Sequence, residues 1–123
     1  IPALISGLAK NTVIPDILGI DEVDILPQFP GGDAELYRYL SNNAHIPEVI
    51  TERGNIKEKV GVIFVIDKDG NVTDIALKHS SKYNELNAEA MRVVKKMPKW
   101  EPGIQNGNPV NVRLIIPLRF EVK

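Results

Sequence analysis

The sequence predicts an α+β fold, a three-stranded antiparallel sheet packed by two helices. Three observations predict it. A hairpin pattern runs from Lys57 to His79, an apolar helical stripe stands on each side of it, and a long alternating strand follows from Pro109 to Glu121. With 123 residues, 43% of them hydrophobic, the chain has the material for one domain with its own core.

The first segment, Ile1 to Gln28, carries prolines at 2, 15 and 27 among scattered Ile, Leu and Val, with no sustained period. It reads as an extended leader whose apolar content means either that it packs along the domain or that something outside this chain orders it, and the domain proper spans 29–123. The apolar stretches near the amino end are interrupted by Lys10, Pro15 and Asp16, so none reaches the ~20 residues that span a bilayer. A start at Ile1 without an initiator Met suggests a segment cut from a longer protein, or a processed chain.

Phe29, Pro30, Gly31 and Gly32 break the chain, and Asp33 is suited to the positive end of a helix. That helix is expected from about Asp33 to Asn42, with Leu36 and Leu40 on one stripe and Glu35 and Arg38 toward water. A short second turn is expected to begin at Pro47 and stop at Gly54.

In the hairpin, Val60, Val62, Phe64 and Ile66 alternate with the small or β-branched Gly61, Ile63 and Val65, a pattern for a central strand covered on both faces. Asp67 to Gly70 supplies a turn ending in Asp-Gly, and Asn71 to Leu77 returns. The second main helix is expected to start with Asn87 as N-cap and Leu86 and Met91 as a hydrophobic staple. Ala90, Val93, Val94 and Met97 continue its apolar face, and Pro98 ends it. Trp100 is read as a core anchor, and Pro102 to Gly107 as a loop.

In the last strand Val110, Val112, Leu114, Ile116, Leu118 and Phe120 point one way, and Asn111, Arg113, Ile115, Pro117 and Arg119 the other. Pro117 cannot donate to a ladder, which places this strand at a sheet edge, and an unpaired edge accepts an incoming peptide.

Composition removes several function classes. A net charge of -1, from 15 basic and 16 acidic residues, favours neither nucleic acid nor an anionic membrane. No cysteine is present for a disulfide or a thiolate metal site, and His45 and His79 stand at no metal-ligand spacing from a carboxylate. Asp74, His79 and Ser81 have the residue types of a triad without evidence of its geometry. Gly31 with Gly32, and Gly61, form no nucleotide-binding loop, and the Asn71-Val72-Thr73 sequon belongs to a hairpin turn. No catalytic residue, metal or cofactor is expected.

The FPGG run at Phe29 to Gly32, the Asp69-Gly70 hairpin and the stretch MPKWEPG at Met97 to Gly103 resemble the carboxy-terminal domain of TonB-type energy transducers. The resemblance covers about Pro27 to Lys123. It implies the same three-stranded sheet with two helices, and a role that is not enzymatic. Such transducers are anchored in the inner membrane by an upstream helix, here absent from the chain. They span the periplasm and pass proton-motive energy from a motor complex to outer-membrane receptors. The domain captures an extended receptor segment, the TonB box, as a strand added beside the last strand.

Carried over by position, the binding backbone would be Val110, Asn111, Val112, Arg113, Leu114, Ile115 and Ile116, with Asn111, Arg113 and Ile115 sampling the peptide side chains. A Tyr-Pro element of the family falls at Ile46 and Pro47, so the proline persists without the aromatic, and His45 stands beside it. The same domain occurs in other envelope proteins, which implies a second role: a structural or sensing module whose leader pairs with its own edge, through Ile20 to Leu26. Deleting the leader would then expose the edge and promote homodimers or peptide binding.

Overall fold

The computed structural model describes residues 4–5, 18–52 and 54–122. In chain order its elements are β1 (Leu4–Ile5), α1 (Asp33–Asn43), α2 (Glu48–Thr51), β2 (Ile56–Ile66), β3 (Val72–His79), α3 (Asn84–Lys95), β4 (Gly103–Gln105), β5 (Asn108–Val110) and β6 (Val112–Val122). β2 is central, with β3 on one side and β6 on the other, all antiparallel, which is the expected three-stranded sheet. The short β1 adds a fourth strand outside β6.

The β2–β6 pairing runs in unbroken register from Ile56 opposite Val122 to Ile66 opposite Val112. Period-2 alternation then sets one face: Val60, Val62, Phe64 and Ile66 of β2 and Val112, Leu114, Ile116, Leu118 and Phe120 of β6 are all fully buried. Leu36 and Leu40 of α1 and Leu86, Ala90, Val93 and Val94 of α3 belong to the same core, so both helices cover that face. On the opposite face the expected cover over Val60 to Ile66 is present, with Gly61 buried and Ile63 half-buried. Val65 is buried as well, and Lys57 and Lys59, which precede that run, are exposed.

The helix starts differ from the sequence reading in one place. α1 opens on Gly32 at φ 94 and carries Asp33 and Glu35 in its first turn, as the acid-at-N-terminus argument requires. α2 begins after Pro47 and its turn closes at Gly54, φ 82. α3, however, starts three residues earlier than Asn87, after Tyr83. Asn87 lies inside the helix and is buried, where its amide serves the preceding loop. Its Oδ1 accepts from the Ser81 N–H at 2.7 Å and the Ser81 hydroxyl at 3.0 Å, and its Nδ2 donates to the Ser81 carbonyl at 3.1 Å. An Asn before an apolar run signals a cap, but a buried loop that needs its polar groups satisfied uses the same side chain.

Two polar ties hold α1 to α3. The Tyr39 hydroxyl donates to the Val93 carbonyl at 2.8 Å, and Arg92 donates to the Asn43 carbonyl at the end of α1 at 2.7 Å. Arg92 is also paired with Glu89 at 2.8 Å, and Glu89 accepts the His45 N–H at 2.8 Å.

Trp100 is a core anchor, 4% exposed, with its ring edge-on to Phe29 at 5.6 Å and to Phe64 at 5.9 Å. Its backbone N–H donates to the Gly70 carbonyl at 2.8 Å, which ties the segment after α3 to the β2–β3 turn. That turn is longer than a two-residue hairpin: Asp67 closes it, accepting the N–H of Asp69 and of Asn71 at 2.9 and 2.8 Å on one oxygen. The stretch read as a loop is a small hairpin, β4 with β5, around Asn106 at φ 53 and Gly107 at φ 78. Asn-Gly between short strands is a strong hairpin signal, obscured here by Pro102 and Pro109 at its ends.

Candidate functional site

The site is the outer edge of β6, and three pieces of chain build it. β2 fixes the strand from behind through its register. The Asp67 turn presents the Lys68 N–H to the Asn111 side-chain carbonyl at 3.0 Å, which holds the link between β5 and β6. Burial raises the Asp67 carboxyl, but the bonds from Asn71 and Asp69 and the charge of Lys99 outweigh it, and the group stays below the ordinary carboxylate range. The turn therefore keeps its anion and its shape at neutral pH.

The third piece is the leader. Leu18 forms a parallel bridge with Val112: its N–H donates to the Asn111 carbonyl and its carbonyl accepts the Arg113 N–H, both at 2.9 Å. Farther along, Leu4 and Ile5 stand opposite Arg119 and Leu118. The Arg113 N–H points outward, and backbone groups alternate sides along a strand, so Ile115 and Pro117 present theirs to the same edge, Pro117 without a donor. The placement of Pro117 on an outward position is what its missing N–H demands.

The capping segment differs from Ile20 to Leu26. Within that stretch Ile25 pairs with Ile104 of β4, not with β6, and the Ile25 and Leu26 side chains are exposed. Gly103 suits this close packing: a Cβ there would come within 2.6 Å of the Val112 side chain and 3.2 and 3.3 Å of Pro27 and the Ile25 carbonyl.

Residue by residue, Val110 belongs to β5 and pairs with Gly103, and Asn111 is the link into β6. Val112, Leu114 and Ile116 point into the core. Arg113 is half-buried, with no partner for its buried Nε among the described residues, and Ile115 is buried rather than outward to solvent. What this stretch offers at the edge is backbone. Ile46 is a core residue, Pro47 leads into α2, and the exposed His45 bonds through its N–H to Glu89 of α3. A cavity of about 320 Å³ opens where the leader meets the strand, lined by Leu18, Lys68, Pro109, Val110 and Asn111. Leu18 and Lys68 were not among the sequence candidates. Each acts through its main chain, which leaves no side-chain pattern to find.

Elsewhere, Asp74 and His79 are exposed on β3 and the Ser81 hydroxyl is bonded to Tyr83 and Asn87, so the three form no triad. Among the described residues no group of three or more His, Cys, Asp or Glu is placed to hold a metal, and no helix is long and apolar enough to cross a membrane.

The family described as Gram-negative bacterial TonB protein C-terminal matches residues 49–122. The chain belongs to this TonB carboxy-terminal family. The solution structure of the Helicobacter pylori TonB carboxy-terminal domain is similar to it, at TM-score 0.55 and 28% identity, over 76% of this chain and 87% of that one. No curated protein matches the chain. The matched span contains the hairpin, α3, Trp100 and β6, so the edge belongs to the TonB domain, whereas Leu18 and the rest of the leader precede that span.

Proposed function

We propose that this TonB domain is the periplasmic part of an energy transducer, and that it binds the TonB box of outer-membrane receptors as a strand added along β6. The observation that carries this is the Leu18 bridge: the edge at Asn111 and Arg113 already holds an added segment through two backbone hydrogen bonds of 2.9 Å. Recognition through main-chain groups gives affinity with loose sequence demands, which suits one transducer that serves several receptors. A pull along the strands loads those bonds together in shear, so the geometry suits passing on force. Membrane anchoring and contact with an inner-membrane motor complex would belong to sequence upstream of Ile1.

An amide-resolved NMR titration with peptides copied from the periplasm-facing ends of outer-membrane receptors tests it. Shifts concentrated on Val110 to Ile116 are the expected result, and shifts confined to α1, α3 or β3 would overturn the proposal. A second reading, a structural or sensing module of another envelope protein, draws on the same Leu18 contact taken as a permanent cap. It calls for no peptide response until the leader is removed.

A further inference from the structure

We infer that the leader is a tethered competitor for the start of the β6 edge, anchored at Asp24 to Gln28 and releasable at Leu18, so that a receptor segment must displace Leu18 to bind there. This rests on the strand-addition function proposed above. β1 meets the far part of the edge at Leu118 and Arg119, whereas at its start the edge meets Leu18, which is held very differently from the residues that follow it. From Asp24 to Gln28 the contacts are dense: Ile25 and Ile104 exchange bonds at 3.0 and 2.9 Å, and Gln28 and Glu101 at 3.0 and 2.8 Å. The Asp24 N–H reaches the Gln105 side chain at 2.9 Å, and its carboxylate accepts the Asn106 N–H at 2.9 Å. The Gly103 seat locks Ile25 and Pro27 against β4. That end stays in place.

Leu18 by contrast is held on β6 by its two backbone bonds, is only half-buried, and lies outside the core cluster. Between it and the anchor the chain turns at Gly19, whose carbonyl accepts the Glu22 N–H at 3.1 Å. Release at Leu18 therefore uncovers little apolar surface and leaves the fold intact. The bonds it gives up are those a ligand needs. Whether an added strand runs parallel or antiparallel, it must take the Arg113 N–H, the outward donor nearest the start of the edge. With a tether of a few residues the competitor acts at an effective concentration on the order of millimolar. Only segments that exceed it gain the edge, and an unliganded domain does not leave its edge open to a second copy.

The test is Leu18→Pro in the full chain, which deletes the donor to the Asn111 carbonyl while leaving Asp24 to Gln28 untouched. Peptides copied from the periplasm-facing ends of outer-membrane receptors are titrated into both proteins, and amide hydrogen exchange is read at Arg113 and, as the control for folding, at Val62. The expected result is faster exchange at Arg113 as the bridge loosens, with Val62 unchanged, and peptide affinity raised roughly five-fold, the order set by the one backbone hydrogen bond deleted. Equal affinity in both proteins, with shifts on Val110 to Ile116, would overturn the competitor role and leave strand addition standing. Binding by neither protein, with Arg113 freed, would overturn strand addition and the competitor with it.

Discussion

Gly70→Ala is the most discriminating perturbation of this fold, because it tests a contact between two segments thirty residues apart. Gly70 sits at φ 88, and a Cβ built there falls 2.0 Å from the Trp100 carbonyl oxygen and 3.1 Å from its carbon. The obstacle is backbone, so no rotamer change relieves it. The left-handed conformation alone costs an L-residue about 1–2 kcal/mol. Moving the two chains apart also loses the Trp100 N–H bond to Gly70, worth roughly 0.5–1.5 kcal/mol. It further loosens the indole from Phe29 and Phe64, where complete loss of the ring would cost about 3–5 kcal/mol. With a fraction of that last contribution the sum is about 3–5 kcal/mol, a large part of the ~5–15 kcal/mol that holds a domain together. Urea unfolding followed by the fluorescence of the single tryptophan measures it directly. Gly107→Ala is the matched control, since Gly107 has φ 78 but nothing within 4 Å of the new Cβ, and it should show only the conformational cost of about 1–2 kcal/mol. If the two variants unfold within about 1 kcal/mol of each other, the close approach of the turn to Trp100 does not contribute as argued.

Three further outcomes follow from the packing. Trp100→Ala should lose about 3–5 kcal/mol and much of the fold, visible as the collapse of the cooperative thermal transition by circular dichroism; a native melting temperature would contradict the anchor role. Asn87→Ala strands the Ser81 N–H and carbonyl and should cost about 2 kcal/mol by urea midpoint, whereas a cost near zero would mean that water replaces the amide. Glu89→Gln weakens the tie between α1 and α3 by about 1 kcal/mol at pH 7. Burial raises the Glu89 carboxyl, but the bonds from Arg92 and the His45 N–H outweigh it and hold it below the ordinary range. Its stabilisation is thus complete above the unfolded-chain value of about 4.3 and fades as pH falls through the lower folded value. The gap between the wild type and Glu89→Gln should narrow below about pH 4, and a constant gap down to about pH 2.5 would show that the charge is not involved.

Most of the sheet was legible because its signal is periodic. Eleven residues of β2 and eleven of β6 carry enough alternation to fix faces and register, and Leu36, Leu40, Val93 and Val94 carry the helical stripe. Features decided by single polar contacts were harder to read. Asn87 has the identity of a cap, yet whether it caps or braces a loop depends on where Ser81 lies in space. The β4–β5 hairpin had its Asn-Gly signal, but each strand is three residues long, too short for a period to register. The irregular course of β3, with register shifts beside Gly61 and Ile63 and with Asp74 at φ 51, has no signature in a run that otherwise reads as an ordinary returning strand.

The edge itself divides along the same line. Pro117 told that β6 has an outward side, because a residue without an N–H is tolerated only where the ladder does not need one. It did not tell what lies there. The occupant at Asn111 and Arg113 is a backbone bridge by one residue, Leu18, and main-chain pairing leaves the side chains free to be anything apolar. The looseness that hid Leu18 from a reading of the sequence is the property that would let receptor segments of different sequence take its place. A site of this kind is found from the strand that offers it, through alternation and a misplaced proline, and its ligands are distinguished by affinity for the edge rather than by a motif. Replacing Pro117 by Val tests that division: it adds one outward donor between the two leader contacts and should strengthen whatever strand occupies the edge by about 1 kcal/mol, read as slower exchange at Arg113. Unchanged exchange there would mean that the edge at 117 and the edge at 113 are covered independently.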